Sequence, residues 1–513
     1  MPFERRNSLV NDFAPAAIRL HPDDDVAVAT TRLASGCAVA GMPSLIAATP
    51  VPLGHKIALT AIAQGAPIKK YGQVIGSATA DIAQGAHVHV HNMAVSADRV
   101  EAVAVKRMRA EPPRTFRGYR RADGRVGVRN YVGVLTSVNC AATVARHIAD
   151  AVERSGMLDA YPNVDGVVPV THSSGCGMAS SGEGHDVLLR SLWGTAANPN
   201  FAAILIVGLG CEVIQIARLT QAGRWRPPET VRSFMIQDSG GTRLAIARGL
   251  EELAALLPAA NAQERTEVPA SELIVGLQCG GSDAWSGITS NPALGNAVDR
   301  LVALGGTALL SETPEIYGAE HLLYERADAA TAAKLRAKLE WWEEYTERHG
   351  AQMDNNPSPG NKAGGLTTIL EKSLGAVAKA GSAPLSDVIG YAEPVQRKGL
   401  IFMDSPGFDP CSATGQVASG ATLIAFTTGR GSAFGYKPSP SLKLSSNSGL
   451  FERMGEDIDL DCGTIVSGEA TIEQKGAEIL DLMLRVASGE ESKSEKLGYG
   501  GAEFVPWQIG AVM

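Results

Sequence analysis

Four stretches of the chain repeat one hydrophobic pattern. Each is a short, β-branched apolar run that breaks abruptly into small and polar residues, and each break carries a cysteine. YVGVLTS (131–137) leads into Asn139 and Cys140. VDGVVPVTHSSG (164–175) leads into Cys176, and AAILIVGLG (202–210) into Cys211 and Glu212. LIVGL (273–277) leads into Gln278, Cys279, Gly280, Gly281, Ser282 and Asp283. Runs this continuously apolar predict strands buried on both faces, hence parallel ones. Helical periods lie between them, as in AATVARHIADAVERSG, which Gly156 ends, and in LRAKLEWWEEYTERHG (335–350). Strand–loop–helix units of this kind build open α/β sheets, whose ligands gather at the carboxyl ends of the strands.

The pattern differs at the N-terminus. From Ala17 to Asn92 short strand-like runs alternate with turn residues, which predicts a small β-rich domain. Residues 93–116 are charged and close on Pro112-Pro113, the signature of a linker. Asp123-Gly124 predicts a hairpin turn at the head of the next unit. The expected organisation is therefore α/β overall. A β-rich domain (17–92) and a linker (93–116) precede two α/β domains with mainly parallel sheets, 117–265 and 266–513.

Composition narrows the function classes. With 513 residues the chain is too long for one core. Its 46 basic and 54 acidic residues leave a net charge of −8 and no long basic run, which argues against nucleic-acid binding. No apolar stretch is long enough to span a bilayer, and the start lacks the core of a signal peptide, so a cytoplasmic protein is expected. There the seven cysteines are reduced, and metal binding or catalysis is open to them.

Several residues then stand out. His87, His89 and His91 alternate, so on a strand their imidazoles share a face and can ligate a divalent metal; a solvated strand end is the plain alternative. His55 sits beside Lys56. Cys140 precedes a helix, whose dipole favours the metal-binding thiolate. His172 shares a glycine-rich loop with Cys176. The arginines at 117, 120, 121, 125 and 129 suit an anionic ligand or an ordinary charged surface. Lys362 lies in a polar loop entering a helix, and Arg430 is flanked by glycines, both suited to an anion.

Taken together, these segments resemble the altronate/galactarate dehydratase family over nearly the whole chain. GHKIAL (54–59), KYG (70–72) and HVHVHN (87–92) resemble its SAF domain. DGRVGVRN, Cys140, His172, GCG (175–177) and GLGCE (208–212) resemble its second domain. QCGGSD (278–283), SGITSNP (286–292), NPSPGNKAGG (356–365) and TGRG (428–431) resemble its last. HVHVHN resembles the altronate branch, and the segments after Ser271 suit the galactarate branch equally. The resemblance implies an iron-dependent hydro-lyase that converts a 2,3-dihydroxy sugar acid into a 2-keto-3-deoxy acid.

On that footing, iron is expected at the sheet edge, held by Cys176, Cys211 and Cys279 with Cys140 close by. Thiolates suit iron or an iron–sulfur cluster with one open position. A mononuclear iron held by His55, His87 and His89 is the rival, with manganese as a substitute. His172 is the first expectation for general acid/base, then Lys56 with His55 beside it. Arg129, Lys362 and Arg430 are expected to bind the substrate carboxylate, with Ser282 and Asp283 at the same loop. Cys37, Cys411 and Cys462 match no motif and are read as structural. A homodimer is expected. Two other functions fit: a lyase expelling sulfite from sulfolactate, and a non-catalytic sugar-acid binding protein.

Overall fold

The computed structural model describes residues 15–95, 111–222 and 226–510. The N-terminal unit is built from short antiparallel strands. Ala17–Ile18, Val26–Ala29, Lys56–Ala58 and His87–Val88 form one sheet, in that order. Pro67–Lys70, Gln73–Ala78 and Met93–Ala94 form a second. Alanines, valines and isoleucines fill the space between, including Ala27, Ile57, Ile68 and Ile75, all fully buried.

The expected linker is shorter than 93–116. Met93 and Ala94 already pair with the Gln73–Ala78 strand. Thr115 opens a strand, Thr115–Arg120, that pairs with both Val126–Gly127 and Thr266–Pro269. Asp123-Gly124 does make the hairpin turn, with Gly124 at φ +87°. Residues 96–110, the middle of the linker, lie outside the described residues. Thr266–Pro269 therefore returns to the start of the second unit before the last unit begins. With four residues and only Val268 buried, this strand is too short to show a period of two.

The second unit carries a four-stranded parallel sheet. Its order is Val167–Val170, Tyr131–Thr136, Phe201–Gly208, Val231–Met235. Phe201–Gly208 is buried at every position, as its unbroken apolar run requires. The helix Ala142–Ser155 ends at Gly156, whose φ of +67° closes it.

The last unit holds a seven-stranded parallel sheet: Leu385–Ile389, Gly399–Met403, Thr307–Leu310, Ile274–Cys279, Leu423–Thr428, Ser441–Ser445, Leu460–Asp461. From Ile274–Cys279 the chain first builds the Thr307–Leu310 side, with Gly399–Met403 and Leu385–Ile389 beyond it, and only then adds Leu423–Thr428 on the other. The switch point thus lies between that strand and Leu423–Thr428, and the loops after both meet there. The N–H groups of Gly429 and Arg430 donate to the Gly281 carbonyl at 3.1 and 2.8 Å.

The N-terminal unit docks on this rim. Gly365, at φ +98°, comes so close to the Gly54 carbonyl that an added Cβ would sit 2.7 Å from the oxygen. Val28, Trp285 and Ile288 form a small apolar contact beside it.

Candidate active site

The N-terminal unit itself groups four imidazoles, and its docking sets them against the rim of the seven-stranded sheet. His55 precedes the Lys56–Ala58 strand, which pairs with His87–Val88 in the register Ile57↔His87. Nδ1 of His55 lies 3.0 Å from Nε2 of His87. The ring centroids of His55 and His89 are 4.8 Å apart, those of His87 and His89 5.5 Å, and those of His87 and His91 5.2 Å. His89 lies beyond the end of the strand, so the grouping comes from a turn as much as from alternation. Its Nε2 meets the Lys362 carbonyl at 3.1 Å. Burial, then neighbouring imidazoles, pushes His87 down to about 3. Burial, then Lys56, pushes His89 down to about 4 and lowers His55. All three are therefore neutral near pH 7, with ring nitrogens able to coordinate a metal.

Behind the imidazoles lies a buried ionic triad. Lys56 Nζ donates to Glu371 Oε2 at 2.9 Å and to the Gly365 carbonyl at 2.9 Å. Lys70 Nζ donates to Glu371 Oε1 at 2.7 Å. Thr367 adds its N–H and hydroxyl to Oε2. One carboxylate so serves two ammonium groups. Desolvation lowers Lys56 to about 8, whereas Lys70 keeps its proton more tightly because the carboxylate outweighs burial there.

A narrow cavity opens next to Glu371, lined by Tyr71, Cys279, Ser282, Lys372 and neighbours. Its floor is a second charged cluster. Lys379 Nζ donates to Cys279 Sγ at 2.9 Å and lies 3.7 Å from Glu312 Oε2. Lys372 Nζ donates to Glu315 Oε1 at 2.5 Å, and the Cys279 thiol points at Glu315 Oε2 at 3.5 Å. Cys279, Glu312 and Glu315 bring one ligand atom each within 4.8 Å of one another. Two lysines already balance this group, and burial pushes the Cys279 thiol up to about 12, so it stays protonated. The imidazoles of His55, His87 and His89 are neutral and carry no bound ammonium group. They do not bring one ring nitrogen each within 4.8 Å of one another, so a shared ion requires the rings to turn toward it.

The expected thiol quartet does not assemble. Cys140, Cys176 and Cys211 are exposed on the rim of the four-stranded sheet, whereas Cys279 is buried in the seven-stranded one against Lys379. Among the described residues, Cys279 with its two glutamates is the one group of three such ligand atoms within 4.8 Å. His172 is also placed differently from the expectation. It is buried, Nε2 lies 3.1 Å from the Thr136 carbonyl, and Nδ1 accepts from the Ser174 N–H at 3.2 Å. Both nitrogens are spent on backbone, and the ring braces two strand ends.

Arg129 is likewise structural. Its guanidinium forks onto Glu495 at 2.7 and 2.8 Å and onto the carbonyls of Val128, Val486 and Glu490. Asp283 staples its own loop, accepting from Trp285, Ser286, Ser446 and Asn447. Ser282 lines the cavity, with its carbonyl held by Asn361. Lys362 is half-buried beside His89, and Arg430 is exposed at the switch point. Cys411 and Cys462 are buried, as structural cysteines would be.

The sequence reading missed Lys70, Glu371, Lys372, Lys379, Glu312 and Glu315. Glu371 follows Thr368 by three residues, the spacing of a helix cap, and Thr368 does accept from the Glu371 N–H. That local pattern disguised a carboxylate aimed at another domain. Glu312 left one trace: it holds φ +74°, which a β-branched or bulky chain rarely adopts, but that is visible only in coordinates.

Comparison with known proteins agrees with this division into three units. Residues 15–96 match the altronate/galactarate dehydratase SAF domain. Residues 118–261 match the second domain of D-galactarate dehydratase/altronate hydrolase, and 270–512 the C-terminal domain of D-galactarate/altronate dehydratase. The chain is 37% identical to the altronate dehydratase of Escherichia coli K12 over 486 residues, 93% of this chain and 96% of that one. It is 37% identical to the galactarate dehydratase (L-threo-forming) of the same organism over 488 residues, 92% and 93% of the two chains. The beta subunit of a (2R)-sulfolactate sulfo-lyase from Chromohalobacter salexigens is 33% identical over 398 residues, 76% of this chain and 97% of that subunit. With all three units matched in order, the chain belongs to the altronate/galactarate dehydratase family, whose sugar-acid dehydratases it resembles from end to end.

Proposed function

We propose that the protein dehydrates an altronate- or galactarate-type sugar acid to its 2-keto-3-deoxy acid, in the cleft between the SAF unit and the switch point of the seven-stranded sheet. The observation that carries this reading is the juxtaposition of the neutral imidazoles with the Lys56–Glu371–Lys70 triad, His55 adjoining Lys56 in the chain. His55, His87 and His89 would hold iron, with manganese as a substitute. Bound there, the ion supplies Lewis acidity that stabilises the charge developing on the substrate carboxylate.

The chain's own residues do the rest. The C2 proton is weakly acidic because a carboxylate adjoins it, so its removal needs a base close to neutral pH. Lys56 has the right basicity, about 8, and Glu371 fixes its amine. Tyr71 lines the narrow cavity beside Glu371 and holds φ +63°, a conformation kept where surroundings enforce it. Its hydroxyl would protonate the departing C3 oxygen. Lys362 and Arg430 flank the cleft and pair with the substrate carboxylate.

Among the described residues no helix is long and apolar enough to cross a membrane. A reducing, cytoplasmic setting and a homodimer complete the reading. The test is an assay for 2-keto product on anaerobically iron-loaded enzyme over a panel of aldonates, aldarates and sulfolactate. Turnover of altronate or galactarate is expected. Sulfite release from sulfolactate alone, or sugar-acid binding without ketoacid, would replace the proposal.

A further inference from the structure

The three exposed thiols are left unused by the cleft, and their placement is ordered. Cys140, Cys176 and Cys211 follow three neighbouring parallel strands, at the carboxyl rim of the four-stranded sheet. The strand order reverses between Tyr131–Thr136 and Phe201–Gly208, so two of the thiols flank the switch point. The loops are tied directly to one another. The Asn139 N–H donates to the Ser174 carbonyl at 2.9 Å, and the Val213 N–H to the Gly175 carbonyl at 3.0 Å. Ser137 donates to Glu212 Oε1 at 2.6 Å, and the Gly210 N–H to Glu212 Oε2 at 2.6 Å.

The approach of these loops depends on glycine. Gly175 holds φ +100°, and a Cβ there would sit 2.4 Å from the Ser137 carbonyl oxygen. Gly210 holds φ +131°, and its Cβ would meet the Gln237 side chain at 2.3 Å. The Gln237 amide in turn points an N–H at Cys211 Sγ, at 3.7 Å. An N–H aimed at sulfur tunes a metal bound to it. Glu212, with both oxygens spent, is a brace and not a ligand.

We propose that Cys140, Cys176 and Cys211 bind an iron–sulfur cluster on the second unit, separate from the histidine cleft. The donor set fits. Three soft ligands on adjacent loops leave one cluster iron for a non-protein oxygen ligand. The sulfurs are not packed within 4.8 Å of one another, as one four-coordinate ion would need, and a cluster spreads its cysteines further apart. Three unprotected thiols on one rim would otherwise be open to oxidation.

The test uses the full chain, reconstituted anaerobically with ferrous iron and sulfide and then desalted. About four acid-labile sulfides per chain and a broad charge-transfer absorption near 400 nm are expected, as for a cubane cluster. The C140A, C176A and C211A variants should each lose both signals, while C279A and H87A keep them. Because a variant can fail for want of folding, a second reading uses the wild type. Anaerobic alkylation mapped by mass spectrometry should spare the three cysteines until a chelator strips the iron, and then label them. Absence of labile sulfide from the reconstituted wild type would overturn the proposal, and so would equal sulfide in the C140A/C176A/C211A triple variant. Because H87A keeps the cluster signals, loss of the cleft reading would leave this one standing.

Discussion

Lys56 Nζ and Glu371 Oε2 lie 2.9 Å apart with neither side chain exposed, and they come from different units of the chain. The pair is the ionic pin of the SAF unit on the C-terminal sheet, and Lys70 doubles it at 2.7 Å. Removing one charge from a buried pair leaves its partner uncompensated, at about 3–5 kcal/mol. Here one carboxylate holds two ammonium groups. Glu371→Gln should therefore destabilise the protein by at least that range and loosen the SAF unit first. Limited proteolysis between residues 95 and 115, together with urea unfolding, measures both effects. An unchanged midpoint would mean that solvent reaches the lysines.

Lys56 is also expected to act as the base. Lys56→Arg keeps a cation facing Glu371 but cannot release a proton near neutral pH. It should fold, and its kcat should fall by about 10²–10⁴-fold with little change in KM. Steady-state kinetics on the iron-loaded variant decide this. Retention of more than a tenth of the wild-type kcat would remove Lys56 from the proton transfer.

His172 should show itself in stability and not in catalysis. Burial lowers it to about 4 from its ordinary 6.5. As pH falls below 6.5, the unfolded imidazole takes up a proton that the folded one refuses. Stability is thus lost between about 6.5 and 4, by up to about 3 kcal/mol at roughly 1.4 kcal/mol per unit. Denaturant unfolding of His172→Gln across that window should give a flatter profile than the wild type. Identical slopes would show that the ring is solvated.

Architecture was legible in the sequence wherever burial dictated pattern. Phe201–Gly208 and Ile274–Cys279 read as parallel strands because both faces of each are covered, leaving polar residues scarce; Gln278, the exception, is buried with its amide on Ser412. The histidines were legible because three share one short segment. The charged partners were not. Glu371 meets Lys56 across 315 residues, and no local period carries a contact that long-range packing creates. Cys279 and Cys176 follow the same strand–glycine grammar, yet one is buried against Lys379 and the other is exposed. Which sheet a strand joins is set by the whole core, so the grammar grouped three thiols of one rim with a fourth from another sheet.

Two arginines that look alike in sequence should separate in the test tube. Arg129 fills a buried fork with Glu495, so Arg129→Met should cost about 3–5 kcal/mol of stability. Arg430 is exposed at the switch point, and among the described residues its side chain has no hydrogen bond or ion pair. Arg430→Ala should leave unfolding unchanged and raise KM about 10–100-fold, the value of one charged hydrogen bond of about 1.5–3 kcal/mol. Thermal unfolding and initial rates distinguish the two. A KM unchanged in Arg430→Ala would place the carboxylate elsewhere.

The last expectation separates the two ligand sets at the cleft. His87 is the hub of the imidazole group, touching His55 directly and facing His89 and His91. His87→Ala should therefore lose the cleft iron, read as metal per chain after anaerobic loading and desalting without added sulfide, and should lose turnover with it. Cys279→Ala removes a neutral thiol from a cluster that Lys372 and Lys379 already balance. It should retain that iron and cost about 1–3 kcal/mol, because the Lys379 ammonium loses one partner in a dry site. If instead Cys279→Ala releases the metal and His87→Ala keeps it, the ion belongs on the floor of the cavity with Glu312 and Glu315. The imidazoles would then be left as a neutral polar lining for the substrate.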